Sequence, residues 1–289
     1  MLAFTNACKG TYLELFGQLR KLCENVSGPI DWSKRLFLAD FEIGAINALK
    51  QTFPGAAVKG CNFHFRQSLY QNLDSGLKAT FNTGKWEVSK NVFVDMPEVQ
   101  NWIKLIMAMC LLPVGEISRV WSFLKHPPET SHQKLAASLS SFVSYFKPTY
   151  IERPTRRPGV MRAPQYPPTL WSHWDNDGAQ TTNMAEGWHN ALDVALTRLY
   201  RPPICVVLPW LRIRWTDNQI RITQLLAHGK PKPKEAKYAA IDTRIQKAKN
   251  SLSASFSCFS TFTIGYYHAI FKFLDKCAGY IGASKIDKK

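Results

Sequence analysis

The sequence predicts a protein of the α/β class in which helices predominate. An apolar run at residues 36–39 precedes a segment with helical periodicity and a second apolar run at residues 56–58. This strand–helix–strand order implies two parallel strands. Between residues 65 and 150, apolar side chains recur at helical spacing. The chain of 289 residues, 45% of them hydrophobic, is long enough to bury a sizeable core, in one large domain or one domain with an insertion.

The first two predicted elements are a helix over residues 10–23 and a strand at residues 36–39. The apolar side chains of the helix recur at helical spacing on Tyr12, Leu13, Phe16, Leu19 and Leu22. Gly28-Pro29 follows the helix and is typical of a helix end. The strand is a short apolar run that ends in the carboxylate of Asp40.

Asp40 has two interpretations from spacing alone. The carboxyl end of a buried strand is where α/β sheets place ligand-binding and catalytic groups. Alternatively, Asp40 caps the helix that follows it. That helix is predicted to end at Pro54-Gly55, and its apolar face consists of Ile43, Ile46, Leu49 and Phe53.

The second strand leads into Gly60-Cys61 and then His64. Cysteine and histidine are both zinc ligands, but a structural zinc site needs four ligands. His189 lies three residues after Glu186, on the same predicted helical face, and is a candidate third ligand. The alternative is a structural role, in which Cys61 and His64 secure the end of the strand by packing and hydrogen bonds.

Residues 65–150 are predicted to be almost entirely helical. Asp95 and Glu98, with Pro97 between them, form a capping-box pattern at the start of one of these helices. Four helical faces are predicted: Phe65, Leu69, Leu73 and Leu77; Val99, Trp102, Ile103, Ile106 and Met109; Ile117, Val120, Trp121 and Leu124; and Leu135, Leu139, Phe142 and Phe146.

Positive charge concentrates in the second half of the chain. Residues 152–168 are rich in proline and arginine and predict an extended basic loop, either a phosphate-contacting loop or a solvated linker. Residues 201–250 predict a basic helical extension that contacts a nucleic-acid backbone. Its candidate contact residues are Arg212, Arg214, Arg221, Lys230, Lys232, Lys234 and Lys237. The tail, residues 251–289, stays unassigned.

The overall charge balance also indicates a polyanionic partner. The chain carries 37 Lys and Arg against 21 Asp and Glu, a net charge of +16, which favours nucleic acid; a basic protein without such a partner is the alternative. Its seven cysteines are scattered and odd in number, which argues against a disulfide framework. No signal peptide and no membrane span are predicted. We therefore expect a soluble intracellular protein.

Two sequence blocks carry a resemblance to a known family. The first is LADFEIGAINALKQTFPGAAVKGCNFHFRQ at residues 38–67, and the second is TTNMAEGWHNAL at residues 181–192. They resemble the transposase domain of Mutator-like elements (MULE), which carries D-F-E after a strand, an F-P turn, G-C-x-x-H-x-x-Q, and T-N-x-x-E-x-W/F-H. Weaker similarity runs from about residue 8 to about residue 250.

The resemblance implies a ribonuclease H-like fold and cut-and-paste DNA transposition. In such enzymes two Asp and one Glu hold two divalent ions, Mg²⁺ or Mn²⁺, that activate the attacking oxygen and stabilise the leaving one. By motif, Asp40 is the second carboxylate and Glu186 the third. The resemblance further implies a core over residues 1–200 with a helical insertion at about 65–165, a DNA partner, a nuclear location and a homo-oligomer.

The first catalytic Asp of that family has no counterpart here. The family places it on the first strand, upstream of the matching region, whereas Asp31 lies in a loop nine residues before Asp40. The resemblance therefore implies a core that lacks its first strands and an open edge at residues 36–39. It also implies an incomplete triad, so this polypeptide is not expected to cleave DNA. A non-catalytic nuclear DNA-binding or regulatory protein derived from a transposase, and an inert fragment of a decayed element, are the alternatives.

Overall fold

The chain forms two compact units in which helices predominate. The computed structural model describes residues 9–157, 159–176, 187, 190–192, 194–196, 203–229, 236–259 and 263–280. One unit comprises residues 1–181 and 245–289, and the other comprises residues 182–244. The described residues hold three two-stranded sheets besides the helices. The predicted helix-dominated α/β class is confirmed at this level.

The first unit begins with the predicted strand–helix–strand motif. Its elements are α1 (Lys9–Ser27), β1 (Leu36–Ala39), α2 (Ile43–Thr52) and β2 (Ala57–Gly60). The two strands pair in parallel, from Leu36 opposite Ala57 to Ala39 opposite Gly60. The parallel arrangement inferred from the crossover length is therefore confirmed.

Phe53, at the end of α2, holds this motif together. Its ring is almost fully buried, with 1% exposed. It lies 4.5 Å from the ring of Trp32 and 4.6 Å from that of Phe37 on β1, while Phe16 of α1 lies 6.4 Å away. Aromatic pairs at these distances are stabilised beyond simple burial, so one side chain fastens two helices to the strand.

A layer of helices follows β2. The elements are α3 (Asn62–Gln71), α4 (Ser75–Thr83), β3 (Lys85–Ser89), β4 (Val92–Asp95), α5 (Pro97–Ala108), α6 (Val114–Leu124) and α7 (Gln133–Phe146). The single helix predicted through Leu77 is wrong. Asp74 divides it, because its carboxylate accepts a hydrogen bond of 2.8 Å from the backbone N–H of Leu77 and so starts α4.

The prediction that residues 65–150 are nearly all helical missed the antiparallel hairpin β3–β4. Asn91 has a positive φ of 62° at its turn, a conformation that asparagine tolerates better than most residues. The predicted capping box is also wrong. Asp95 belongs to β4, and Met96 occupies the N-cap of α5 without a side-chain hydrogen bond.

The proline- and arginine-rich loop is largely extended, as predicted. It contains a two-residue antiparallel ladder, β5 (Arg153–Pro154) with β6 (Met161–Arg162). A short helix, α8 (Pro168–Trp171), follows it and leads into a turn at residues 172–176, in which Ser172, His173 and Asn176 are buried. That turn approaches β2, as described below.

The second unit contains one long described helix, α9 (Ile204–His228), which confirms the helix predicted there. The next helix, α10 (Ala236–Cys258), crosses the division at residue 245. No helix among the described residues is both long and apolar enough to traverse a lipid bilayer.

The C-terminal segment joins the main core of the first unit. The last helix, α11 (Ile264–Ala278), is capped by Thr263, whose hydroxyl accepts a hydrogen bond from the Tyr266 N–H. Its inward face is buried with the core formed by α3 to α7, and Asp275 accepts a hydrogen bond of 3.2 Å from the Asn101 side chain of α5. The segment to which the sequence assigned no role thus completes the core.

Candidate metal centre

Three chemically reactive side chains meet where β1 and β2 end. Asp40 follows β1 directly, and Cys61 follows β2. Ala39 pairs with Gly60, and the Cys61 N–H donates a hydrogen bond of 2.8 Å to the Ala39 carbonyl. Asp40 and Cys61, the residues that follow this pair, therefore lie side by side at the end of the sheet. Ligand-binding groups gather at this end of parallel strands.

His64 completes the group from the first turn of α3. Cys61 is the N-cap of that helix, with an extended backbone, so the chain turns sharply after the strand. The Asp40 carboxylate and the His64 Nδ1 are 2.9 Å apart. One ligand atom from each of Asp40, Cys61 and His64 lies within 4.8 Å of the other two.

The three side chains differ in their access to solvent. The Cys61 thiol is fully buried, with 0% of the residue exposed. The His64 side chain is 22% exposed, and that of Asp40 is 60% exposed. The group therefore runs from a buried thiol to a solvent-accessible carboxylate, which would let a small ion enter from the Asp40 side.

Asp40 controls the charge of His64. Its hydrogen bond to the ring, with a further contribution from Cys61, raises the pKa of His64 to about 10, because a nearby carboxylate favours the protonated ring. At neutral pH the metal-free protein thus holds an imidazolium against a carboxylate.

The interpretation of Asp40 as a helix cap is wrong. The N-cap of α2 is Glu42, which makes no side-chain capping bond. Its carboxylate instead accepts a hydrogen bond of 2.7 Å from the Tyr12 hydroxyl of α1. The carboxylate of Asp40 instead contacts His64 of the C-x-x-H segment.

A buried histidine that the sequence did not indicate, His173, forms a hydrogen bond with the last residue of β2. His173 is 0% exposed, and its Nε2 lies 2.9 Å from the Gly60 carbonyl. The Asn176 amide nitrogen lies 3.2 Å from the Nδ1 of the same ring. These partners assign the proton to Nε2, which donates to Gly60 while Nδ1 accepts from Asn176.

Two lysines fix the segment that carries His173. Lys59 of β2 donates to the carbonyls of Thr169 and Ser172, at 3.0 and 2.8 Å. Lys249 of α10, only 3% exposed, donates to the carbonyls of His173 and Trp174, at 2.9 and 2.6 Å. Burial lowers the pKa of Lys59.

Several predicted site residues lie outside the described part of the chain. Glu186 and His189 are among them, so the convergence of Asp40 with Glu186, and of His189 with the Cys61–His64 pair, stays a prediction. Lys230, Lys232 and Lys234 also lie outside it, as does the side chain of Lys237.

The three predicted arginines all lie on α9. Arg214 stacks over the Trp210 ring at 5.4 Å and pairs with Asp217 at 3.7 Å. At about 100° per residue, Arg214 and Arg221 share a helical face, whereas Arg212 points to the opposite side. One surface could therefore engage two of the three.

The donor atoms at the strand ends do not match the magnesium pair that the resemblance implies. Mg²⁺ and Mn²⁺ bind oxygen ligands, preferentially carboxylates and water. Among the described residues, the group offers one carboxylate beside a thiol and an imidazole, which are ligands for softer ions. No protein-family model, curated protein or solved structure matches the chain.

Proposed function

We propose that this protein binds DNA as the core of a Mutator-like transposase, with a ribonuclease H-like arrangement around β1. The observation that carries the proposal is the meeting of Asp40, Cys61 and His64 within 4.8 Å of one another. All three belong to the first sequence block that resembles the family. They meet at the carboxyl end of a parallel strand pair, where such folds hold their reactive groups.

The charge of the chain supports DNA as the partner, and the nuclear location follows from the resemblance alone. A net charge of +16 favours a polyanion, and cations that neutralise phosphates release counterions from the duplex. Arg212 and Arg221 are exposed on α9, and Arg214 is half-buried beside its aromatic neighbour. The planar guanidinium of Arg214, which stacks on Trp210 and lies 3.7 Å from Asp217, would have to exchange that carboxylate for a phosphate.

A non-catalytic DNA-binding role is the second candidate, and the donor atoms at the strand ends favour it. Strand cleavage by two ions requires several carboxylates that bridge both metals. The resemblance identifies two carboxylates, Asp40 and Glu186, in these 289 residues, and Asp40 is already paired with His64. We therefore expect the polypeptide to bind DNA without cutting it.

A salt series tests the proposed DNA binding. Fluorescence anisotropy with a labelled duplex should give an affinity that falls steeply as salt rises, with little dependence on sequence. The double variant Arg214→Gln/Arg221→Gln should weaken binding and lower the slope of log K against log salt by about 2.

The matched control removes two exposed lysines of the first unit, Lys125 and Lys134. The Lys125→Gln/Lys134→Gln variant has the same net charge as the arginine variant and should keep the wild-type slope. Equal slopes for all three proteins would refute α9 as the contact surface. Absence of salt-sensitive binding in the wild type would refute the proposed function.

A cleavage assay separates the two candidates. Wild-type protein and the Asp40→Asn variant are incubated with duplex DNA in Mg²⁺ or Mn²⁺. Cleavage by the wild type that Asp40→Asn abolishes would establish the catalytic reading. DNA binding with no cleavage by either protein would establish the non-catalytic one.

A further inference from the structure

We propose that Asp40, Cys61 and His64 form a binding site for one Zn²⁺ ion. The resemblance implies magnesium at Asp40, and the sequence suggested zinc with His189 beside Cys61 and His64. The geometry points to Asp40 as the third zinc ligand, while His189 lies outside the described residues. The zinc site rests on the same three side chains that carry the proposed function. It can nevertheless fail or succeed separately from DNA binding, because zinc binding is measured without DNA.

The distances between the donor atoms suit a zinc ion. Zinc binds sulfur at about 2.3 Å and nitrogen or oxygen at about 2.0–2.2 Å, in tetrahedral sites. Donors around such an ion are therefore about 3.3–3.6 Å apart. Here the Asp40 and His64 donor atoms are 2.9 Å apart, and all three donor atoms lie within 4.8 Å of one another. Side-chain rotations that move these atoms by about an ångström would therefore complete the site.

Two of the three ligands are already positioned by the backbone. Cys61 is fixed by its hydrogen bond to Ala39 and by its place at the start of α3. His64 lies one turn along the same helix. The Gly60 carbonyl just before Cys61 is held by His173. An ion therefore has to replace the proton that His64 holds against Asp40. It moves mainly the exposed Asp40 carboxylate, which limits the entropy cost of binding.

The ligand types distinguish zinc from the hard cations. Thiolate and imidazole are good zinc ligands and poor magnesium ligands. Among the residues that the structure describes, this is the group in which three such side chains come close enough to share an ion. Three protein ligands leave a fourth tetrahedral position, which a water molecule would occupy on the side of Asp40 that faces solvent.

Metal binding can be measured without DNA or catalysis. Purified full-length protein is stripped of metal and titrated with Zn²⁺ and, separately, with Co²⁺. We expect one Zn²⁺ per chain by native mass spectrometry, and a sulfur-to-cobalt charge-transfer band that establishes thiolate ligation. Mg²⁺ in excess should not compete.

Variants of each ligand identify the site. Cys61→Ser should remove the cobalt charge-transfer band, and His64→Gln and Asp40→Asn should each weaken zinc binding by more than about 10-fold, the lower end of the effect seen for outer-sphere partners. Cys23→Ser is the matched control, because Cys23 lies in α1 and is a half-buried free thiol; it should bind zinc as the wild type does.

The variant His64→Cys guards against misfolding, since it replaces one zinc ligand with another and should retain the ion. Circular dichroism verifies the helical content of every variant. Failure of the wild type to bind zinc overturns the proposal. So does zinc binding that Cys61→Ser and His64→Gln leave unchanged, because the ion would then reside on other thiols.

Discussion

Two histidines near the end of β2 differ in protonation state because their surroundings differ. The Asp40 carboxylate raises the pKa of His64 to about 10. Burial, assisted by the positive charges of Lys59, Arg66 and Lys249, lowers the pKa of His173 to about 4. At neutral pH the metal-free protein thus places an imidazolium in the ligand group and a neutral imidazole behind the strand.

The neutral state of His173 predicts a loss of stability in mild acid. Its pKa is about 4 in the folded protein and about 6.5 when unfolded. Between these values the unfolded chain binds more protons, so the free energy of unfolding falls as the pH drops from about 6.5 towards 4, by about 3 kcal/mol in all for this group.

Urea unfolding at pH 7 and pH 4.5 measures this effect. His173→Gln keeps an amide donor for the Gly60 carbonyl but has no group that titrates in this range. The variant should therefore lose less stability than the wild type between the two pH values. An identical loss in both proteins would show that His173 is not a buried neutral base.

At the scale of elements, local rules predict what depends on neighbours in sequence. The sequence named Asp40 from its place at a strand end and Cys61 and His64 from their C-x-x-H spacing. The structure brings the three side chains together, because β1, α2 and β2 are consecutive. The roles of His173 and Lys249 could not be predicted from the sequence. Their hydrogen-bond partners lie far away along the chain, and only tertiary packing brings them together. The hairpin β3–β4 did leave a local signal, because the five residues of β3, KWEVS, alternate polar and apolar side chains. The prediction of helix throughout residues 65–150 overlooked that pattern.

The glycine that ends β2 is required by the close approach of a ring. A Cβ atom at Gly60 would lie 2.6 Å from the ring of Phe41, the residue after Asp40. That ring packs edge-on against Tyr166 at 5.0 Å, whose hydroxyl also donates to the Phe41 carbonyl at 2.8 Å. Gly60→Ala should therefore displace Phe41 and lower the free energy of unfolding by about 1–3 kcal/mol.

Gly115 in α6 offers the matched control. A Cβ there meets no atom within 4 Å, and alanine is the better helix former by about 1 kcal/mol or less. Gly115→Ala should leave stability unchanged or raise it. Thermal or urea unfolding of both variants makes the comparison. Equal effects of the two substitutions would contradict the packing of Phe41 against Gly60.

At the scale of the whole molecule, a large helical core supports a very small sheet. The core of the first unit is formed mainly by α3 to α7 with α10 and α11, whereas β1 has one partner strand among the described residues. An unpaired strand edge invites pairing with another chain. The homo-oligomer expected from the resemblance could form by pairing of a second copy with the edge of β1 that faces away from β2.

The last prediction concerns that edge. In the parallel ladder, Ala57 donates to the Arg35 carbonyl and Cys61 to the Ala39 carbonyl. Because the backbone groups of a strand alternate in direction, the N–H groups of Phe37 and Ala39 point to β2, and those of Leu36 and Leu38 point away.

Hydrogen exchange of the dilute protein should therefore be slow at Phe37 and Ala39 and fast at Leu36 and Leu38. Raising the protein concentration should slow exchange at Leu36 and Leu38 alone if a second copy pairs along β1. Slow exchange at Leu38 in a dilute monomer would contradict the open edge, because another segment of the same chain would then have to cover it.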